Sequence, residues 1–353
     1  MGTKMKAAVL YGIHDVRIEE VNMPRIEEDD EVIVKLKATG VCPTDVRKYT
    51  GTSQPTKGFP AILGHEGAGI VIEAGKLAKK YVKEGQRVAL MPDWPCGTCL
   101  SCRLGKAMNI SVEMCDKIQG SLAFTEDGTY AEYVKIPYNA AFAIPDNVSF
   151  EEASITEPTA CCLNAVEWGG QVSMGENVLV IGSGFMGIAT AQLCKIKGAN
   201  VIISDIDDTK LKIAKEMVAD ITVNIKKEKL AGVVKGVTNG RGVDVVIIAV
   251  GGKGPLEDAL GTVGKGGRIV LLGSYHPPIK WEVDPNFFHY NMVNLTGIEG
   301  YSVSQFQKII LLISKGVFRA KPLITDVFKL EDIEKAFKMV ENSEGLRKVI
   351  QFG

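Results

Sequence analysis

Several cysteine, histidine and acidic side chains stand at spacings that suit metal ions, and a glycine-rich turn further along suits a dinucleotide. Cys96, Cys99 and Cys102 recur at every third position in Cys96-Gly97-Thr98-Cys99-Leu100-Ser101-Cys102. Three thiolates so spaced on a Pro/Gly loop can converge on one ion, and a closed structural zinc site takes four ligands. Cys115, 13 residues past Cys102, is the nearby candidate for the fourth. Cys42 and His65 form a second, mixed set. His65 lies in Gly64-His65-Glu66-Gly67-Ala68-Gly69, and Cys42 precedes Thr44 and Asp45. Both settings are polar and turn-rich, unlike those of a core histidine or a small buried thiol. A catalytic zinc accepts thiolate, imidazole and carboxylate and keeps one position open. Glu157, in Thr156-Glu157-Pro158-Thr159-Ala160 at the expected domain junction, could be its third ligand.

Gly182-Ser183-Gly184-Phe185-Met186-Gly187 follows the apolar run from Asn177 to Ile181 and opens a helical pattern. The first glycine allows the sharp turn, the second lets backbone N–H groups approach a pyrophosphate, and the third lets helix and strand pack closely. The helix N-terminus adds partial positive charge. Asp205 lies 18 residues past Gly187, flanked by Ser204, Ile206, Asp207 and Asp208 with no arginine. A carboxylate there accepts bonds from an adenosine ribose diol and repels a 2′-phosphate, so NAD is expected rather than NADP. A Lewis-acid metal with a nicotinamide is equipment for taking a hydride from an alcohol.

The elements that must hold these groups fall into two textures. Before about residue 150, short strand candidates such as Val32 to Ala38 and Arg87 to Leu90 alternate with Gly and Pro turns, as in a compact β-barrel. After it, apolar strands (Asn177 to Ile181, Val201 to Ser204, Val243 to Val250, Arg268 to Leu272) alternate with helices (Met186 to Lys197, Thr209 to Val218). That alternation predicts a parallel sheet with crossover helices. Helices are expected in Ser304 to Lys315 and Leu330 to Val340, and a strand in Lys348 to Phe352. Residues 1–156, with 298–353 returning to them, are read as the catalytic domain and 157–297 as the dinucleotide-binding domain.

With 353 residues the chain can bury two cores. At 46% hydrophobic, 24% charged and net charge −1, it carries no footprint for nucleic acid or an anionic membrane surface. The apolar stretch Ala7 to Leu10 is short for a signal peptide and nothing approaches a membrane span, so a cytoplasmic location is expected. Eight cysteines there are read as ligands or reduced core residues.

Together these residues resemble the zinc-dependent medium-chain alcohol dehydrogenase family, over essentially the whole chain. The likeness runs through Gly40-Val41-Cys42-Pro43-Thr44-Asp45, Gly64-His65-Glu66 with Gly69 and Gly75, and Val82-Lys83-Glu84-Gly85-Gln86-Arg87-Val88. It continues in the cysteine loop and the glycine turn. Glu157 before Pro158 is similar to the sorbitol and polyol branch, with its butanediol and threonine dehydrogenases. The resemblance implies an α/β fold, a Rossmann doubly wound parallel sheet plus a GroES-like β-barrel. It implies a catalytic zinc on Cys42, His65 and Glu157, with Glu66 close enough to exchange with water at the metal, and Thr44 taking the substrate's hydroxyl proton. It implies NAD on Gly182, Gly184, Phe185, Met186, Gly187 and Asp205, and a homo-oligomer, tetramer or dimer. Arg347 or Lys348 is placed to reach the pyrophosphate, a solvated charge pair being the other reading.

Three residues depart from the family. Pro43 replaces a small or polar residue. Arg47 stands where many relatives carry a proton-passing histidine, and an arginine cannot act as that base. Ile110 stands where the fourth structural cysteine usually falls, which leaves Cys115 to complete the site if the intervening stretch is lengthened.

The implied activity is zinc-dependent oxidation of a secondary alcohol or polyol by NAD. The alternatives are a non-catalytic NAD- or zinc-binding scaffold and a zinc-free quinone or enoyl reductase, and the set Cys42, Thr44, His65 and Glu157 argues against both. Cys161, Cys162 and Cys194 read as packing, His14, His276 and His289 lack a ligand context, and Trp94 and Phe59 read as pocket wall or packing.

Overall fold

In the computed structural model, which describes residues 3–108 and 111–353, the chain divides into two compact units. One is Met1–Pro158 with Ser302–Gly353, the other Thr159–Tyr301. The sequence had placed the crossings at 156/157 and 297/298, so Glu157 falls in the first unit and not in the second.

The first unit is organised on the strand Glu31–Gly40. That strand pairs antiparallel with Gly67–Ala74, Tyr133–Pro137 and Arg347–Gln351 within a seven-stranded sheet. A three-stranded sheet of Asp15–Asn22, Lys4–Gly12 and Ala61–Ile62 shares its core. Leu10, Leu36, Val71 and Val88 from the two sheets, Tyr130 from the loop ahead of Tyr133–Pro137 and Phe337 from the helix Ile333–Glu341 fill it. Burying such side chains contributes about 1.5–3 kcal/mol each, enough to hold a barrel whose loops carry chemistry. The C-terminal segment enters on a capping box, Ser302 with Gln305, that starts the helix Val303–Ser314. It ends in Arg347–Gln351, where Val349 pairs with Gly40.

The second unit is a six-stranded parallel sheet. Its spatial order is Ile221–Asn224, Asn200–Asp205, Asn177–Ile181, Val243–Ile248, Val263–Leu271, Asn294–Gly297. Crossover helices Phe185–Ile196, Asp208–Met217, Leu230–Val237 and Lys253–Thr262 intervene. Val178 to Val180 and Val245 to Ile248 are fully buried, as strands covered on both faces must be. The order runs outward in both directions from Asn177–Ile181 and Val243–Ile248, so the strand order reverses beside the turn that follows Ile181. Such a switch point is where open α/β sheets take their ligands. The fold class read from the sequence is the one observed. Several bounds differ in detail: the strand read to Val250 stops at Ile248, the one read from Arg268 begins at Val263, the last strand is Arg347–Gln351, and Leu330–Asp332 is a 3-10 turn leading into Ile333–Glu341. Among the described residues no helix is long and apolar enough to cross a membrane.

Candidate active site

The helix Pro43–Tyr49 places the first metal-binding group. Cys42 is its N-cap, in extended conformation, with Sγ accepting from the Thr44 N–H at 3.4 Å. Pro43 takes the first helical position, where a missing N–H costs nothing. That accounts for a proline departing from family usage. His65 and Glu66 precede the strand Gly67–Ala74. Cys42 Sγ, a ring nitrogen of His65 and a carboxylate oxygen of Glu66 all lie within 4.8 Å of one another.

Glu66 is fully buried, and its carboxylate lies where a side chain on Gly40 would be: a Cβ there would overlap Oε2. Arg347 donates from Nη2 to Glu66 Oε1 at 2.5 Å and from Nη1 to the Val41 carbonyl at 3.2 Å. Arg347, expected at a pyrophosphate, is therefore found on the acid of the metal cluster. Oε2 is buried without a hydrogen-bond partner. An orphaned carboxylate oxygen beside a thiol and an imidazole is a group that a cation would satisfy, so the residues fit zinc.

Behind His65 stands Asp45, also fully buried. Its Oδ2 lies 3.4 Å from His65 Nδ1 and accepts from the Tyr130 hydroxyl at 2.9 Å, while Oδ1 accepts from the Gly64 N–H at 3.3 Å. Burial alone would raise the Asp45 carboxyl, but His65 and Lys48 hold it below the usual carboxylate range. Burial alone would lower the imidazole, but Asp45 and Cys42 carry it well above its ordinary value. Asp45 thus fixes the ring and directs its other nitrogen at the cluster. Asp45→Asn is expected to weaken zinc binding roughly 10- to 100-fold, read by competition with a chromophoric chelator. An unchanged affinity would remove Asp45 from the site.

Glu157 opens the helix Thr156–Asn164. It is not among the three converging donors, but it feels their charge. Its carboxyl is pushed up to about 7, by burial first, with Glu66 and Asp93 adding and His65 and Arg347 opposing. A divalent ion held by His65 and Glu157 would have to displace the protons on both. Zinc affinity is therefore expected to rise from about pH 6 to about pH 8 and to fall off below it. A chelator titration that stayed flat over that range would contradict this.

Thr44 lies one residue past the N1 proline, and its Oγ1 accepts from Arg47 Nη2 at 2.9 Å. Lys48, the next residue, is buried, with Nζ on the Ala123 carbonyl at 2.9 Å and 3.6 Å from the Phe124 ring centre. Phe124 in turn stands 6.1 Å from the His65 ring. One short helix and its cap thus carry a candidate ligand, a hydroxyl and the anchor of an aromatic neighbour.

The cysteine loop resolves the question left at Cys115. The sulfurs of Cys96, Cys99, Cys102 and Cys115 all lie within 4.8 Å of one another. Cys96 to Cys102 and Cys99 to Cys115 are 3.9 Å apart, far beyond a disulfide. Backbone N–H groups of Cys96, Cys99, Cys102 and Lys117 point at these sulfurs from 3.3–3.5 Å. N–H bonds from Thr98 and Cys99 and the Thr98 hydroxyl draw the Cys96 thiol down to about 6, and burial pushes Cys102 up to about 12. Four thiols crowded with inward-pointing donors fit one tetrahedral zinc. Ile110 lies outside the described residues.

The glycine turn has the geometry its spacing requires. Gly182 has φ +103° after the strand Asn177–Ile181. Gly184 caps the helix Phe185–Ile196 with no side-chain partner, and a Cβ on it would meet nothing within 4 Å. A Cβ on Gly187 would collide with the Gly182 carbonyl. The open space over Gly184 and the uncapped helix N-terminus fit a pyrophosphate. Phe185 is buried in the first turn and Met186 follows it, packed on Cys162. Asp205 ends the strand Asn200–Asp205.

Sequence reasoning missed Asp45, Tyr130 and Gly40 as parts of the metal cluster. Asp45 carried a weak signal, being an acid three residues past a ligand cysteine, whereas Tyr130 carried none. Trp94 packs on the first unit's core and stands over Gly120, while Phe59 is exposed. Cys162 and Cys194 are buried. His14, His276 and His289 join no metal-binding group among the described residues.

Comparison with known proteins agrees with this geometry. Residues 28–146 match the family described as alcohol dehydrogenase GroES-like domain, and residues 186–315 match zinc-binding dehydrogenase. Sorbitol dehydrogenase of Bacillus subtilis is 32% identical over 95% of this chain and 93% of its own length. The chain belongs to the zinc-dependent medium-chain alcohol dehydrogenase family. The crystal structure of 2R,3R-butanediol dehydrogenase from Bacillus subtilis is 26% identical, covering 99% of this chain and 100% of that one, with a TM-score of 0.87. A protein of Sinorhizobium meliloti 1021 described as a zinc-binding dehydrogenase and bound to NADP is 27% identical over 99% and 100%, with a TM-score of 0.88. As a medium-chain dehydrogenase of the polyol branch, the protein is a zinc-dependent oxidoreductase acting on CH–OH groups.

Proposed function

We propose that the chain oxidises a secondary alcohol or polyol with NAD, using Cys42, His65 and Glu157 as zinc ligands and Glu66 as an acid that exchanges at the metal. The convergence of Cys42, His65 and the orphaned Glu66 oxygen carries this reading. A bound zinc supplies Lewis acidity that brings a hydroxyl's ionisation towards neutral pH. The residues do the rest. Asp45 orients His65, and Arg347 opposes the rise that burial imposes on the Glu66 carboxyl.

Thr44 accepts the hydroxyl proton as it releases its own O–H proton to water, while Arg47 occupies one of its lone pairs. Arg47 orients the hydroxyl and does not pass the proton on, since a guanidinium does not deprotonate. Asp205 and the turn Gly182 to Gly187 hold the cofactor. A carboxylate without a neighbouring arginine supports NAD for this chain, although one structural relative holds NADP. Cys96, Cys99, Cys102 and Cys115 hold a second, structural zinc.

Elemental analysis of the full chain, run beside NADH formation on a panel of polyols and secondary alcohols, tests this. Two zinc ions per chain and alcohol-dependent NADH formation are expected. No zinc after metal-replete expression, together with no turnover, would leave a scaffold reading in its place.

A further inference from the structure

Asp205 is not an open clamp. A carboxylate offers about four acceptor positions, and the chain itself fills them. Oδ2 accepts from the Ser183 N–H at 2.5 Å and the Ser183 hydroxyl at 2.8 Å. Oδ1 accepts from the N–H groups of Ile206 at 2.6 Å and Asp207 at 3.1 Å. The ribose diol of a dinucleotide brings up to two further donors to this same group, so it competes with the chain's own donors for the carboxylate.

The four donors differ in what release costs. Three are backbone N–H groups, fixed by the turn after Ile181 and by the start of the helix Asp208–Met217, which Asp207 caps through its side chain. Freeing any of them means moving the chain. The fourth is the hydroxyl of Ser183, which turns about a single side-chain bond. Ser183 is fully buried and is the single residue between the first two glycines of the turn. Nothing in the turn's backbone geometry demands a hydroxyl there; Gly182 supplies the positive φ.

We propose that Ser183 sets the affinity for the cofactor, its hydroxyl occupying an acceptor position on Asp205 that the adenosine ribose competes for. Binding then exchanges one hydrogen bond to a charged acceptor for another and does not simply add one. The affinity for NAD(H) is held down by that exchange, which favours release of the product cofactor. This rests on the NAD reading above and concerns the strength of that binding, which the reading leaves open.

The test is calorimetric titration of the zinc-loaded full chain with NADH, ADP and 2′-deoxy-ADP, for the wild type, Ser183→Ala and Ser183→Thr. Ser183→Ala is expected to bind NADH and ADP roughly three- to tenfold tighter, about the net weight of one ordinary hydrogen bond. The gain should shrink for 2′-deoxy-ADP, which lacks one of the competing hydroxyls, and Ser183→Thr should stay near the wild type. Thermal unfolding of each variant is measured alongside. Equal or weaker NADH binding by a folded Ser183→Ala, or an equal gain with 2′-deoxy-ADP, overturns the inference. A wild type that shows no binding of NADH at all overturns the cofactor reading and this inference with it.

Discussion

Cys42→Ala is expected to leave one zinc ion per chain instead of two and to lower kcat/KM by about three orders of magnitude or more. The metal is asked for several kcal/mol of stabilisation of developing charge, and each 1.36 kcal/mol is a decade in rate. The variant should still fold. Cys42 caps a seven-residue helix, and losing a cap costs about 1 kcal/mol, small beside the shared core that holds the barrel. The four-cysteine site draws on none of the same residues, so its zinc should stay. Metal analysis and steady-state rates on one preparation decide the matter. A variant retaining both ions, or losing less than tenfold in kcat/KM, would move the chemistry away from Cys42.

The second large effect is on stability. Arg347→Met should cost about 3–5 kcal/mol, because it strands the Glu66 carboxylate in a site from which water is excluded. Arg347 and Glu66 are both buried and meet at 2.5 Å, and the carboxylate fills the space that the missing side chain of Gly40 leaves. The double variant Arg347→Met/Glu66→Gln should recover part of the loss, since the uncompensated charge is gone while the Val41 carbonyl still lacks its donor. Denaturant unfolding of the metal-free single and double variants measures it. A single variant within 1 kcal/mol of wild type would mean the pair contributes little.

What could be read from the sequence was whatever depends on neighbours along the chain. The run Asn177 to Ile181 forms a strand with those bounds because a parallel strand buried on both faces must be apolar throughout. The cysteine triplet is local too, and only the fourth ligand needed coordinates, since nothing in the spacing says whether the chain between Cys102 and Cys115 doubles back. Arg347 could not be read. Its role depends on Glu66, 281 residues away, brought close only by the pairing of Arg347–Gln351 with Glu31–Gly40. Glu157 was read as a ligand from its acid–proline context; the structure sets it beside the three converging donors and not among them. Asp205 was read by position alone, and position does not report how many of its lone pairs are already in use.

The interruption of the first unit by the second has a consequence during synthesis. Glu66 leaves the ribosome early, whereas Arg347 follows only after the whole of residues 159–301 has been made. At 5–20 residues per second the 281-residue gap is roughly 15–60 s. For that interval the nascent barrel lacks its closing strand, and the Glu66 carboxylate lacks its guanidinium. The second unit is one uninterrupted stretch of chain and has no such wait. The cysteine loop, all of whose sulfurs lie between Cys96 and Cys115, can take up its ion long before the catalytic cluster is assembled.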